Sequence, residues 1–434
     1  MSDKKESVRF LAENGLDVPG IDREELLRTF ATEMQAGLCG EPSSLMMIPS
    51  FIYPDKPVQT DKPVIVLDAG GTNLRAAVVR IDKEGNPHIG RFDKRPMPGT
   101  QGELSESEFY EEFAGFVAPL AEAEKAEKIG FCFSYPAEIL PDCDARLLHW
   151  SKQIEVPSVV GTLIGSGLKR HLAKRGLQHE VVILNDTVAT LLAGKSVGVA
   201  RDYSAYVGFI LGTGTNTAYV EKGSNIVKRQ DIDPASSMAI NVESGAFRAI
   251  RQSRFDQIMD AETIDPGFFT FEKMISGAYL GRIGFTVLRE AAAAGLLSDS
   301  ARELLATWTT VGNKELDDFC DGTPEANNPF LNEAFSAQDQ QTIVDLCTPV
   351  YERSAVLAAV NIASAILKTG EGRDPARPVC VNVDGSTYHR TRTGQYRTRV
   401  QTELQKILAP RGISYELIRV DESPVIGAAV AGLM

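Results

Sequence analysis

A carboxylate and an amide follow a buried strand in the middle of the chain. The segment VVILNDTVATLLAG covers residues 181–194: an apolar run predicts a strand, Asn185 and Asp186 come next, and an apolar pattern typical of a helix follows. A carboxylate in such a place can act as a general base toward a hydroxyl group. It can equally be structural, because Asp is a common N-cap of helices. The segment therefore leaves two roles open for Asp186, general base or helix cap.

Two glycine turns point to a second kind of chemistry. DAGGTN at 68–73 resembles LGTGTN at 211–216, and both turns lie between β-branched runs. Glycines let successive backbone N–H groups approach an anion closely. A lone turn of this type can be a simple hairpin, but two copies facing each other can grip a polyphosphate. Asp68 precedes the first turn and can hold Mg²⁺ through its waters, and Arg75 beyond it can donate to phosphate oxygens.

The elements that must position these residues alternate between strand and helix in two blocks. A helix is predicted over 22–38, after an Asp that can cap it. The strands predicted for the two blocks are 64–81 with its central turn, 129–135, 180–186, 206–221 with its central turn, and 378–385. The other predicted helices are 106–127, 271–280, 285–306 and 340–369. The repeated opening predicts duplicated α/β domains that face one another.

Composition limits the classes of protein that the chain can represent. Its 434 residues exceed the size at which a single core usually keeps growing, so two domains are expected. The net charge of −13 argues against a nucleic-acid surface, which needs a basic stripe. The six cysteines form no CxxC or zinc-like spacing, which favours reduced thiols in a cytoplasmic enzyme.

No membrane attachment is expected. The opening MSDKKESVRF has no apolar signal-peptide core. The most apolar segment, AVLAAVNIASAIL at 355–367, contains Asn361 and Ser364 and is shorter than the roughly 20 residues of a membrane span. This segment predicts a buried helix.

Taken together, the motifs resemble those of the hexokinase family. The matching segments, in chain order, are GLCGEPSSLMMIPSF, LDAGGTNLRAAVV, GFCFSYPAE, LLHWSK, VVILNDTVATLLAG, VGFILGTGTNTAYVE, INVESGAF, FEKMISGAYLGRI and VNVDGSTY. The resemblance implies a duplicated actin-like, ribonuclease-H-like α/β fold with a central cleft. It also implies a small domain of residues 61–196 completed by a C-terminal helix, 424–434, and a large domain of 1–60 and 197–423.

The resemblance also implies a function and the residues that perform it. ATP and Mg²⁺ would phosphorylate the 6-hydroxyl of a hexose, glucose or alternatively fructose or mannose, in glycolysis, with Asp186 as the general base. The hexose-facing positions are Ser134, Ser151, Lys152, Asn185, Asp186, Asn216, Glu243 and Glu272. The positions facing ATP and its metal are Asp68, Gly70, Gly71, Thr72, Asn73, Arg75, Thr213, Gly214, Gly277, Ala278, Gly385, Ser386 and Thr387, with Asp68 reaching the metal through water.

The chain departs from the family pattern at several points. Ser244 stands where Trp is common, and the final segment DESPVIGAAVAGLM lacks the usual glycine-rich serine turn. Two other functions remain as alternatives: a catalytically weak hexose sensor on the same fold, and an actin-like ATPase. The intact Asp186 and glycine turns argue against the sensor, and the full set of sugar-facing residues argues against the ATPase.

Overall fold

The computed structural model describes residues 2–150, 154–197, 201–389 and 393–434. Its first large sheet has five strands, with antiparallel pairing on one side and parallel pairing on the other. In spatial order these strands are β4 (Pro87–Pro96), β3 (Asn73–Ile81), β2 (Val64–Gly70), β5 (Lys128–Phe133) and β8 (Glu180–Leu184).

The second large sheet repeats this topology. In spatial order its strands are β1 (Ile48–Pro49), β11 (Ser237–Asn241), β10 (Thr215–Lys222), β9 (Ala205–Leu211), β12 (Val379–Asp384) and β13 (Tyr415–Ile418). Without β1, the run from β11 to β13 has the same two antiparallel and two parallel pairings as the first sheet. A small hairpin contains β6 (Ala137–Ile139) and β7 (Ala145–Leu147). The predicted duplication is confirmed.

Helices cover the sheets and also lie between them. The first half and its N-terminal extension contain α1 (Ser2–Glu13), α2 (Arg23–Cys39), α3 (Glu106–Glu124), α4 (Ile164–Lys174) and α5 (Asp186–Val197). The second half contains α6 (Arg254–Ala261), α7 (Thr270–Ile275), α8 (Gly277–Ala293), α9 (Asp299–Ala306), α10 (Asn313–Cys320), α11 (Ala337–Thr369), α12 (Ser386–His389), α13 (Gln395–Leu408) and α14 (Ser423–Leu433).

The apolar side chains pack into three large cores. One lies between the five-stranded sheet and helices α3 and α4, and includes Leu67 and Phe113. A second surrounds α5 and α14 between the two sheets, with Val66 from β2 and Ala218 from β10. The largest joins the other face of the six-stranded sheet to its helices. Helices α5 and α14 therefore connect the two halves of the fold.

The predicted helix over 22–38 is present as α2. The Asp22 side chain accepts from the Glu25 amide at 3.0 Å, and Gly40 ends the helix at φ 76°. The apolar segment 355–367 is buried within α11, as predicted. By length and composition α11 can cross a membrane, but 89% of its most apolar window is buried inside the fold.

The helix predictions over 271–280 and 285–306 are wrong in their boundaries. The chain breaks at Ser276 between α7 and α8, and α8 and α9 are separate helices. The reason for the first break is a long-range bond, because the Gly277 amide donates to the Gly212 carbonyl at 2.8 Å. All six cysteines are free thiols.

Candidate functional site

Asp186 begins α5 directly after the strand β8. The Asn185 side chain accepts from the Thr187 amide at 2.8 Å, the hydrogen bond of an N-cap. The helix-cap interpretation of Asp186 is therefore wrong, because Asn185 has that role. The Asp186 carboxylate is half-buried and accepts from the Thr187 hydroxyl at 3.4 Å.

Asp68 is a buried carboxylate near the end of β2. It stands opposite Arg75 in β3, and Arg75 Nη1 lies 3.6 Å from Asp68 Oδ2 and 3.5 Å from Glu422 Oε2. Burial raises the pKa of Asp68 to about 6; Arg75 opposes the rise, while the charges of Asp186 and Glu422 add to it. Asp68 and Asp186, distant in sequence, are thus electrostatic neighbours.

The first glycine turn places Ser134 beside Asp68. Gly71 has φ 87°, a conformation that few other residues adopt, and its carbonyl accepts from the Tyr135 hydroxyl. A β-carbon added at Gly70 would lie 3.4 Å from Asp68 Oδ1 and 3.8 Å from Ser134 Oγ. Glycine therefore keeps the space beside both side chains open. Thr72 and Asn73 complete the turn, and Asn73 begins β3.

The predicted sugar-facing residues of the second half form a hydrogen-bonded group. Asn216 Nδ2 donates to Asn241 Oδ1 at 2.8 Å, and Asn241 Nδ2 donates to Glu243 Oε1 at 2.7 Å. Glu272 accepts from the Thr215 amide at 2.9 Å. Burial raises the pKa of both glutamates, and the charge of Asp186 further raises that of Glu243. The carboxylates of both halves therefore interact with one another.

Ser244, the departure from the usual Trp, belongs to a buried polar group. Its hydroxyl accepts from Asn361 Nδ2 at 3.0 Å and lies 3.2 Å from the Thr217 hydroxyl. The Thr217 hydroxyl donates to Asn361 Oδ1 at 2.9 Å. Asn361 comes from the centre of α11. This group fixes the backbone beside Glu243 with hydrogen bonds.

The second glycine turn closes onto two other segments. Ala278 donates its amide to the Thr213 carbonyl at 3.3 Å, and the Thr387 hydroxyl donates to the Gly212 carbonyl at 2.8 Å. Gly385, at φ 109°, lies so close to β9 that any β-carbon would overlap the Leu211 carbonyl. The predicted residues Thr213, Gly277, Ser386 and Thr387 thus lie in one wall region.

A cavity of about 460 Å³ opens beside this turn. Sequence reasoning missed the residues that α10 adds to it, Asn313, Lys314, Asp317 and Asp318. Gly214 packs closely against Glu272, because a β-carbon on Gly214 would lie 2.5 Å from Glu272 Oε2. The sequence signal for α10 was a short amphipathic pattern between Gly312 and Gly322, which has no glycine turn of the kind seen at 68–73. Ser151 and Lys152 lie outside the described residues.

The two large sheets have the same topology, and carboxylates from both halves lie close together between the two glycine turns. This arrangement defines the actin-like class of two-domain proteins. Two family models, both described as hexokinase, match residues 12–196 and 206–434. The chain belongs to the hexokinase family.

Individual relatives agree with this assignment. Hexokinase-2 of Oryza sativa subsp. japonica is 32% identical over 409 residues, which cover 88% of this chain and 81% of the relative. Hexokinase-1 of Schizosaccharomyces pombe is 29% identical and covers 93% of this chain and 86% of the relative. The solved structure of Schistosoma mansoni hexokinase with glucose has a TM-score of 0.77 at 26% identity, covering 99% of both chains.

Proposed function

We propose that this chain transfers the terminal phosphoryl group of ATP to the 6-hydroxyl of a hexose, with glucose the first acceptor to test. The observation that carries the proposal is the convergence of Asp68, Asp186 and Glu243 from three elements. Two glycine turns with the same topological position flank them. Similarity to a hexokinase solved with glucose supports a sugar ligand.

In this proposal Asp186 is the general base. Its neighbour Asn185 caps α5, so the Asp186 carboxylate is not needed as the helix cap. Accepting the proton of the 6-hydroxyl as the oxygen attacks phosphorus would accelerate the reaction by roughly 10² to 10⁴. The 6-hydroxyl must also be held in line with the bond that breaks in ATP. Water must be excluded, because it would otherwise attack the same phosphorus.

The residues proposed to hold the hexose combine acceptors and donors. A sugar presents adjacent hydroxyl groups that each donate and accept, which amides, hydroxyls and carboxylates can match. The proposed set is Ser134, Asn185, Asn216, Glu243 and Glu272, with Ser151 and Lys152 from the WSK segment. Asn241 would act indirectly, because it holds both Asn216 and Glu243 by hydrogen bonds.

The residues around Asp68 fit a magnesium ion shared with phosphate. Among the described ranges, no group of three or more His, Cys, Asp or Glu side chains is placed to hold a metal. Mg²⁺ keeps several waters and needs only one or two carboxylates beside phosphate, so Asp68 suffices. The charge of Asp186 also acts on Asp68, which suits a cation at this place. The chemistry that bound Mg²⁺ supplies is neutralisation of phosphate charge.

The other proposed nucleotide contacts come from both turns. Gly70, Gly71, Thr72, Asn73 and Arg75 belong to the first, and Thr213, Gly214, Gly277, Ala278, Gly385, Ser386 and Thr387 surround the second. Their backbone N–H groups and small side chains allow close approach of phosphate oxygens. Arg75 would exchange its carboxylate neighbours for phosphate, since a guanidinium pairs well with either.

Two bodies that close on the sugar would exclude water. We assign residues 61–196 with 424–434 to one body and the remainder to the other. Asn382 of β12 is the proposed pivot: its side chain donates to the Thr190 carbonyl of α5 at 2.8 Å and to the Ser423 hydroxyl at 3.0 Å. Its Oδ1 accepts from the Val420 amide at 3.1 Å. One buried side chain thus joins both proposed bodies.

The test is a coupled assay of ADP formation from Mg-ATP with and without glucose, fructose or mannose. We expect sugar-dependent turnover in the unchanged protein and a loss of 10²-fold or more in kcat for Asp186→Ala. Asp299→Ala, at an exposed carboxylate in α9, is the matched control and should retain full turnover. Glucose binding without sugar-dependent turnover in the unchanged protein would overturn the proposal and favour the sensor.

A further inference from the structure

Three buried side chains beside the proposed hexose contacts form a closed ring of hydrogen bonds. The Thr217 hydroxyl donates to Asn361 Oδ1 at 2.9 Å, and Asn361 Nδ2 donates to the Ser244 hydroxyl oxygen at 3.0 Å. Because the Thr217 proton is used on Asn361, the Ser244 hydroxyl must be the donor in the remaining contact, to Thr217 Oγ1 at 3.2 Å. Each of the three side chains therefore donates once and accepts once within the ring.

The ring is shielded from water and joins three separate elements. Thr217 lies in β10, Ser244 in the turn after β11 and Asn361 in the middle of α11. All three residues are at most 1% exposed. In such an environment the bonds of a fully satisfied network strengthen one another, and removing one member leaves buried partners unpaired. The ring therefore favours one backbone arrangement at the place where strand, turn and helix meet.

The ring consists of side chains outside the proposed set of sugar contacts. Ser244 stands where Trp is common in the family. A tryptophan has no hydroxyl that could accept from Asn361, so the ring needs the serine of this chain. Neither Thr217 nor Asn361 belongs to the sugar-facing positions that the family resemblance implies. The support behind the sugar contacts is thus a feature of this chain's own residues.

Glu243, directly before Ser244, has a backbone conformation that needs such support. Its φ of 57° and ψ of 48° lie in the left-handed region, which residues other than glycine rarely adopt. A conformation of this kind costs free energy and persists only where the surroundings impose it. The Ala246 amide donates to the Glu243 carbonyl at 3.0 Å, and the ring holds the Ser244 side chain between them in sequence. The ring therefore fixes the backbone that carries the Glu243 carboxylate.

The same segment fixes the orientation of the Asn216 amide group. Asn216 Oδ1 accepts from the backbone amides of Thr217 at 2.7 Å and Ser244 at 3.2 Å, which are both members of the ring. Two donors occupy both lone pairs of this oxygen, and Asn216 Nδ2 donates to Asn241 Oδ1 at 2.8 Å. Asn216 can therefore offer a hexose hydroxyl only a donor, whereas the carboxylate of Glu243 offers an acceptor.

We propose that Asn361 is a positioning residue for the hexose: its ring with Thr217 and Ser244 holds Asn216 as a donor and Glu243 as an acceptor in the geometry that binds the sugar. This inference rests on the proposed function, because it takes Asn216 and Glu243 as hexose contacts. Asn361 acts only through Thr217 and Ser244. Its effect therefore concerns the affinity for the sugar and not the affinity for the nucleotide.

The test breaks the ring at two points with little change of volume. Asn361→Leu and Thr217→Val replace a polar side chain by an apolar one, and Thr217→Ser keeps the hydroxyl. The dissociation constant of glucose is measured by calorimetry, and KM for glucose and for ATP by the coupled assay. We expect the two apolar variants to weaken glucose binding by roughly 3- to 10-fold and to keep KM for ATP within about twofold. Thr217→Ser should bind glucose as the unchanged protein does.

Two controls separate positioning from a general loss of structure. Ser364→Ala is matched to Asn361→Leu, because Ser364 is a buried residue of α11, 4% exposed, whose hydroxyl has no hydrogen-bond partner among the described residues. It should change neither KM. The double variant Thr217→Val with Asn361→Leu should weaken glucose no more than the more severe single variant, because one loss already opens the ring. Unchanged glucose binding in both single variants, an equal rise in KM for both substrates, or additive losses in the double variant would overturn the inference.

The inference and the proposed function can fail separately. The Ser244 amide donates to Asn216 Oδ1, so its hydrogen exchange reports on the turn without any ligand. We expect this amide to exchange roughly 3- to 10-fold faster in Asn361→Leu and Thr217→Val than in the unchanged protein, and at an unchanged rate in Ser364→Ala. If glucose, fructose and mannose all fail to bind, the proposed function fails and the exchange rates alone decide whether Asn361 holds the turn. Faster exchange would then support that role, and unchanged exchange would contradict it.

Discussion

The buried carboxyl of Asp317 predicts an unusual pH dependence of stability. Its pKa is about 7 in the folded chain against an ordinary value of 3.8. Between these values the folded protein retains a proton that the unfolded chain has lost. The contribution of protonated Asp317 to the free energy of unfolding is therefore complete below pH 3.8, and it is lost as the pH rises through 7. Asparagine has nearly the same size and cannot ionise, so Asp317→Asn removes this decrease.

The magnitude follows from the two pKa values. A difference of about 3 units corresponds to roughly 4 kcal/mol at high pH, as an upper limit. Integrating between pH 5 and pH 8 leaves a change of roughly 2.5 kcal/mol in the free energy of unfolding. For a chain of 434 residues, each kcal/mol in the free energy of unfolding changes Tm by about 1 °C. We expect Asp317→Asn to gain about 2 to 3 °C relative to the unchanged protein over this interval.

The assay is thermal unfolding followed by circular dichroism at pH 5 and pH 8, at one scan rate. Asp299→Asn is the matched control, because this carboxylate is exposed in α9. Other buried carboxylates, such as Asp68, are present in both proteins and cancel in the comparison. A Tm difference that is the same at both pH values, or an Asp317→Asn protein that loses stability at pH 8, would refute the reasoning.

Three further predictions concern other parts of the chain. Glu422→Gln should lower KM for the nucleotide by about 1.4- to fivefold at saturating sugar, because the half-exposed Glu422 competes for Arg75 with about 0.2–1 kcal/mol; an unchanged KM would contradict this. Gly427→Ala should lower the free energy of unfolding by about 1–3 kcal/mol and thus lower Tm, because the new β-carbon would overlap a backbone oxygen of α5. An unchanged Tm would show that the two helices move apart freely. Asp256→Ala should cost about 3–5 kcal/mol in urea unfolding by leaving Arg353, now 2.6 Å away, charged and unpaired in the core; a loss below about 1 kcal/mol would mean that water or another acceptor replaces the carboxylate.

Features that depend only on a short stretch of sequence were predictable. An apolar run, a glycine turn and a second apolar run predict a hairpin wherever they occur, and the structure has β2 with β3 and β9 with β10 at the two expected places. Asp22 before an amphipathic pattern predicts a capped helix for the same local reason. The duplicated fold and the strand-end position of Asp186 follow from these local signals.

Long-range contacts decided the rest. The pattern around 271–280 is continuous in sequence, but the Gly277 amide donates to Gly212 instead of extending the helix. Between Asn185 and Asp186, both acceptable caps by type, backbone geometry gave the cap to Asn185.

The electrostatic environments are also products of the tertiary structure. The raised pKa values of Asp68 and Asp317 depend on burial and on charged neighbours from other elements. No local pattern marks Asp317 as different from Asp318 beside it in the sequence. The sequence by itself determined the elements and the chemical groups they carry. Only the tertiary structure decided which carboxyl groups lose water and which partners they meet, because burial and charge proximity depend on segments far apart in the chain.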